Sequence, residues 1–130
     1  MNRLAVLDAS AVLALLFRER GSELVAQYVE SFETCLSAVN FSEVVAKQRE
    51  LHIPEESTME YLGLLGIEIV AFDSEAAIQT AALREVTKFR GLSLGDRACL
   101  ALGKMRNCPV LTADKAWSGT NLGVEIIVIR

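Results

Sequence analysis

The sequence predicts an α/β domain: a mostly parallel five-stranded sheet held between helices in a three-layer α/β/α arrangement. Short apolar runs recur along the chain, and each is followed by a stretch whose apolar residues fall at helical spacing. The length agrees, since 130 residues with 52% apolar and 23% charged side chains suffice for one sizeable core and not for two. Residues 1–130 are therefore read as one domain, and the apolar content excludes intrinsic disorder.

Leu4-Ala5-Val6-Leu7 is a continuous apolar run ending in Asp8, as expected of a strand buried on both faces. Ala9 to Arg18 is Ala- and Leu-rich and predicts a helix, punctuated by Gly21. Ser22 to Phe32 predicts a second helix, with Leu24, Val25, Tyr28 and Phe32 along one face. Thr34 to Ala38 is the second strand, and Asn40 to Leu51 the helix after it. Pro54-Glu55-Glu56 opens the next helix, with acids against the positive end of its dipole, and Gly63 and Gly66 close it. Ile67 to Phe72 is the third strand. Ser74 to Arg90, closed by Gly91, and Ser93 to Arg106 are helices. Pro109 to Thr112 and Glu125 to Ile129 are the fourth and fifth strands.

The longest nearly continuous apolar run, Ala9 to Phe17, falls well short of the ~18 residues of a membrane span. Asp8 interrupts the apolar stretch too early for a secretory signal. Cys35, Cys99 and Cys108 are odd in number and widely spaced, so they read as reduced thiols of a cytoplasmic protein. Net charge is −4, from 17 acids and 13 bases, which argues against a basic nucleic-acid coat. A few acids gathered in one pocket would account for that whole excess.

Four acids are placed for this. Ligands of a parallel sheet bind at the carboxyl ends of its strands. Asp8 follows strand one and Asp114 lies two residues past Thr112. Glu43 is expected in the first turn of the helix after strand two. Asp96 opens a helix running antiparallel to strand four, which brings its start to the same edge. Each also has a capping reading: Asp8 and Asp114 as N-caps, Asn40-x-x-Glu43 and Ser93-x-x-Asp96 as capping boxes. Two carboxylates ~5 Å apart at an effective dielectric of ~20 repel by roughly 3 kcal/mol, so four at one edge call for a cation or shared protons. An all-oxygen set suits Mg²⁺ or Mn²⁺ and not zinc or copper. Ser10 and Thr112 add hydroxyls beside Asp8 and Asp114.

The segments Leu7-Asp8-Ala9-Ser10-Ala11, Asn40-Phe41-Ser42-Glu43-Val44, Leu92 to Leu102 around Asp96, and Leu111-Thr112-Ala113-Asp114-Lys115-Ala116-Trp117 resemble the successive acidic motifs of PIN-domain proteins, and more narrowly of VapC-type toxins of bacterial toxin–antitoxin pairs. The resemblance runs from the first strand to the last. It implies a metal-dependent endoribonuclease in which Asp8, Glu43, Asp96 and Asp114 hold Mg²⁺ (or Mn²⁺). Metal would activate water for in-line attack and stabilise the leaving 3′ oxygen, so that products carry 5′-phosphates. It also implies an RNA substrate, a small VapB-like antitoxin partner and a homodimer, with no membrane. The helical hairpin around Pro54 looks short for the family.

Other readings of the fold compete. A dinucleotide binder needs a glycine-rich turn after strand one, which Asp8-Ala9-Ser10-Ala11 lacks. A haloacid-type phosphatase needs a second acid where Ser10 stands. A receiver-like Mg²⁺-binding module would use Asp73 after strand three, but Asp73 reads better as a helix cap, and the lysine expected beyond strand five is missing. A catalytically silent binding module on the same scaffold is the remaining alternative. His52 is the single histidine and reads as a surface residue, which leaves no Ser-His-Asp chemistry. Trp117 is read as packing the turn after strand four. Phe17, Tyr28 and Phe32 are assigned to the core. Arg97 either pairs with an acid or phosphate or is a solvated helix residue.

Overall fold

The computed structural model describes residues 3–119 and 121–130. Its elements in order are β1 (Leu4–Leu7), α1 (Ala9–Phe17), α2 (Ser22–Ser31), β2 (Glu33–Ser37), α3 (Ala38–Glu50), α4 (Glu55–Leu64), β3 (Glu68–Val70), α5 (Ser74–Thr87), α6 (Leu94–Arg106), β4 (Val110–Thr112) and β5 (Ile126–Val128). The sheet order is β3-β2-β1-β4-β5, and every pairing is parallel rather than mostly so. The chain runs outward from β1 to β3, then returns to β4 on the other side of β1. That reversal opens a crevice at the carboxyl ends of β1 and β4.

Strand side chains alternate between two cores, as period-two geometry requires. Ala5, Leu7, Leu36 and Leu111 face one layer and pack with Val12, Val25, Val44 and Leu62 of α1 to α4. Val6, Cys35 and Val110 face the other and pack with Leu83 of α5, Cys99 and Leu100 of α6, and Trp117. Gly21 bends the chain between α1 and α2 at φ 96°, where a Cβ would lie 2.6 Å from the carbonyl oxygen of Ile129. Only glycine fits there.

Most boundaries shift by a residue or two from the sequence reading, and three of the differences have a clear local reason. β2 ends at Ser37, whose side chain accepts the Val39 N–H at 3.1 Å and so starts α3 two residues before Asn40. β3 is only Glu68–Val70, because β2 offers no partner beyond the Ser37–Val70 pairing. The helix expected to reach Arg90 gives way at Thr87, whose hydroxyl donates back to the Leu83 carbonyl at 2.6 Å, and finishes as a 3₁₀ turn over Lys88–Arg90. Tyr28 and Phe32 pack partly buried against the first core, whereas Phe17 is 36% exposed and lies at its margin. Among the described residues no helix is long and apolar enough to cross a membrane.

Candidate metal site

Asp8 is the N-cap of α1 and is almost wholly buried, at 6% exposure. Its Oδ1 accepts the Ala11 N–H at 2.8 Å and the Ser10 hydroxyl at 2.7 Å, while Oδ2 accepts the Thr112 hydroxyl at 2.6 Å. Burial pushes its carboxyl above the ordinary range; the hydrogen bonds from Ser10, Thr112 and Ala11 oppose that rise, and the nearby charge of Asp96 adds to it. The two hydroxyls named from the sequence do further work. Ser10 Oγ accepts the Ala113 N–H at 2.8 Å, and Thr112 Oγ1 accepts the Asp114 N–H at 3.0 Å. Together they lace the end of β1 to the end of β4.

Asp114 caps the 3₁₀ turn Lys115–Trp117 by accepting the Ala116 N–H at 2.9 Å. Trp117 is fully buried and anchors that turn from below, as its packing role predicts. Asp96 completes a capping box with Ser93: its Oδ2 accepts the Ser93 N–H at 3.0 Å, and Ser93 Oγ accepts the Asp96 N–H at 3.1 Å. Glu43 is displaced from its expected place. Since Ser37 rather than Asn40 caps α3, Glu43 stands in the second turn, and Asn40-x-x-Glu43 is no capping box. Asn40 is instead buried inside the helix, with Nδ2 donating to Glu43 Oε1 at 2.9 Å.

A cavity of about 300 Å³ is lined by Asp8, Ser10, Asn40, Glu43, Asp96 and Asp114, together with Ala9 and Leu13. All four predicted acids thus border one hollow at the carboxyl edge of the sheet, although among the described residues no three of them lie together as a ready-made metal cluster. Each carboxylate is held by its own local hydrogen bonds. The capping and lining roles coexist in the same side chains.

Among the described residues none of the four takes part in a salt bridge. Arg97 does not supply the missing charge, since its Nη1 donates to the Thr80 carbonyl at 3.3 Å and ties α6 to α5. Asp73 caps α5 through the Ala76 N–H at 2.9 Å, as expected. Behind the cavity, burial first and then the nearby acids push the Cys99 thiol well up, and Cys99 is not among the residues that line the hollow. The donor set is carboxylate oxygen, without imidazole or thiolate. Among the described residues Asn40 Oδ1 is a buried acceptor with no hydrogen-bond partner. This chemistry fits a hard divalent cation with its waters.

Asn40 and Gly95 are the site residues that sequence reasoning missed. The available signal was a glycine inside a predicted helix beside a candidate ligand, where backbone entropy disfavours it.

The model of the PIN domain family matches residues 5–121. No curated protein sequence matches the chain. Solved structures with the same fold include a toxin-antitoxin complex from Klebsiella pneumoniae, with TM-score 0.72 and 22% identity over 97% of this chain and 98% of that one. DNA-bound VapBC from Salmonella typhimurium aligns over 100% of both chains, with TM-score 0.74 and 18% identity. VapBC2 from Rickettsia felis, bound to a promoter DNA fragment, gives TM-score 0.75 and 12% identity over 96% of this chain and 98% of that one. At these identities the likeness is one of fold.

Proposed function

Since the chain belongs to the PIN domain family, we propose that it is a Mg²⁺- or Mn²⁺-dependent endoribonuclease acting in the cytoplasm as the toxin of a toxin–antitoxin pair. One observation supports this above the others: Asp8, Glu43, Asp96 and Asp114, from four separate segments, border one cavity, and among the described residues none of them is in a salt bridge. Family membership favours this over the silent or receiver-like alternatives, and Asp73 is engaged as a cap.

The four carboxylates would hold the cation, which when bound supplies an activated water and stabilises the leaving oxygen. The chain's own groups prepare the place. Ala11 N–H, Ser10 and Thr112 fix the plane of the Asp8 carboxylate, and Thr112 also fixes the backbone of Asp114. Burial of Asp8 keeps bulk water from screening that charge. Without a cation the four carboxylates repel an RNA phosphate, so metal loading precedes substrate binding.

The complexes named among the fold relatives support a small VapB-like antitoxin as partner. Exposed apolar side chains on α4, including Met59, Tyr61 and Leu64 at 80% exposure, support an interface with a partner or a second copy. The test is to induce the protein in cells beside Asp8→Asn and map new RNA 5′ ends. New 5′-phosphate ends with wild type alone are expected, and expression of the neighbouring small gene should suppress them. Equal cleavage by both proteins overturns the reading.

A further inference from the structure

Asn40 is 1% exposed, one turn before Glu43 on the inner face of α3. Its Nδ2 divides two protons between Glu43 Oε1 at 2.9 Å and the carbonyl of Gly95 at 3.0 Å. Both partners are acceptors, which fixes the orientation of the amide. Gly95 lies in the first turn of α6, beside Asp96. A Cβ there would stand 2.5 Å from Glu43 Oε2 and 2.6 Å from Oε1, so the carboxylate rests directly on the glycine. A glutamate side chain is long and loses considerable freedom when held in one place. Two features acting together hold this one: a donor above it and a bare α-carbon beneath it.

We propose that Asn40 and Gly95 are positioning residues that seat the Glu43 carboxylate against the start of α6, beside Asp96, so that the acids of α3 and α6 meet one cation. The proposal rests on the metal-site reading above. It assigns the helix-disfavoured glycine a purpose: any side chain at position 95 displaces Glu43.

The experiment is a calorimetric titration of Mn²⁺ into wild type, Glu43→Gln, Asn40→Ala, Gly95→Ala, and the two doubles that add Glu43→Gln. Asn40→Ala and Gly95→Ala should each weaken Mn²⁺ binding about 10- to 100-fold. Metal-free Gly95→Ala should melt at or above the wild-type temperature, because alanine is the better helix former and only a flexible carboxylate has to move. Adding either substitution to Glu43→Gln should weaken binding no further, since the group being positioned is already gone.

A merely structural role gives the reverse pattern, a lowered melting temperature with Mn²⁺ affinity kept, and overturns the proposal. So does binding within about twofold of wild type in either variant, or losses that multiply with Glu43→Gln. The contact is also readable without metal, as nuclear Overhauser effects between the Glu43 γ protons and the Gly95 α protons, which Asn40→Ala should abolish. Wild type lacking them overturns the proposed seat. Wild type that shows them yet binds no Mn²⁺ leaves the seat standing and overturns the metal-site reading and the cation role assigned to the seat.

Discussion

The two edges of the sheet carry hollows of opposite character. At the amino ends of the strands a cavity of about 480 Å³ opens among Arg3, Tyr28, Phe32, Arg106, Cys108 and Glu125. It is larger than the acidic one, yet its cations have company. Arg106 stands 3.1 Å from Glu68, and the Arg3 guanidinium lies 5.4 Å from the centre of the Phe32 ring, which packs on Tyr28 at 4.6 Å. At the carboxyl ends, four acids share a smaller space with no such partner among the described residues. A hollow's size reports how the layers pack, whereas charge left without a counter-ion reports what the hollow is for.

The most severe way to break this contrast is to neutralise one edge at a time. Asp8→Asn or Asp96→Asn should reduce RNA cleavage by purified protein to background, and chelator should do the same to wild type. Arg106→Ala, at the opposite edge, should leave the cleavage rate within about threefold of wild type, because it removes only an exposed ion pair worth at most about 1 kcal/mol. A gel-based cleavage assay on wild type and the three variants decides it.

The next effect is thermodynamic. Mn²⁺ at a hundredfold excess over its dissociation constant should stabilise wild type by about 2.7 kcal/mol, a rise of roughly 10 °C in melting temperature for a domain of this size. Asp96→Asn should shrink that rise. Ser93→Ala should cost about 1 kcal/mol through the capping box and leave the rise intact. Melts with and without metal separate the capping and lining roles that one carboxylate combines.

The smallest effect concerns the thiols beneath each edge. Burial raises all three above the ordinary thiol range, Cys35 to about 11 and Cys99 well up, with acids adding to the rise at Cys99. Thiolate is the reactive form, so alkylation of the native protein at pH 8 should be slow. Half-buried Cys108, at the amino edge, should be labelled first. Cys99, behind the acids, should be labelled only on unfolding. Pulse labelling with mass spectrometry reads the order.

Much of this was legible in the sequence because topology does the placing. Once strands and helices alternate, Asp8, Asp96 and Asp114 fall at one edge whatever the exact boundaries are. Glu43 was harder. Asn40-x-x-Glu43 mimics a capping box, and nothing local distinguishes Asn40 from Ser37 as the residue that starts α3; the difference lies in where β2 runs out of partners. Third-strand length was illegible for the same reason, since Ala71 and Phe72 are good strand residues lacking a neighbour to pair with. Capping and lining the hollow proved compatible at Asp8, Asp96 and Asp114, because a carboxylate that accepts a cap hydrogen bond keeps further lone pairs. The Gly95 seat depends on a contact across 52 residues of chain, which no local pattern encodes.

The hydrogen bond from Thr112 to Asp8 joins residues 104 apart in sequence. Its long reach bears on when the hollow between β1 and β4 first exists. A chain emerging from the ribosome can pair β1 with β2, and β2 with β3, early, but the fourth carboxylate arrives only when β4 folds back along the far side of β1. Non-local strand pairing of this kind is slow compared with local helix formation. Before that pairing forms, Asp8, Glu43 and Asp96 have no closed hollow to border, so the proposed cation site is among the last features of the fold to be completed.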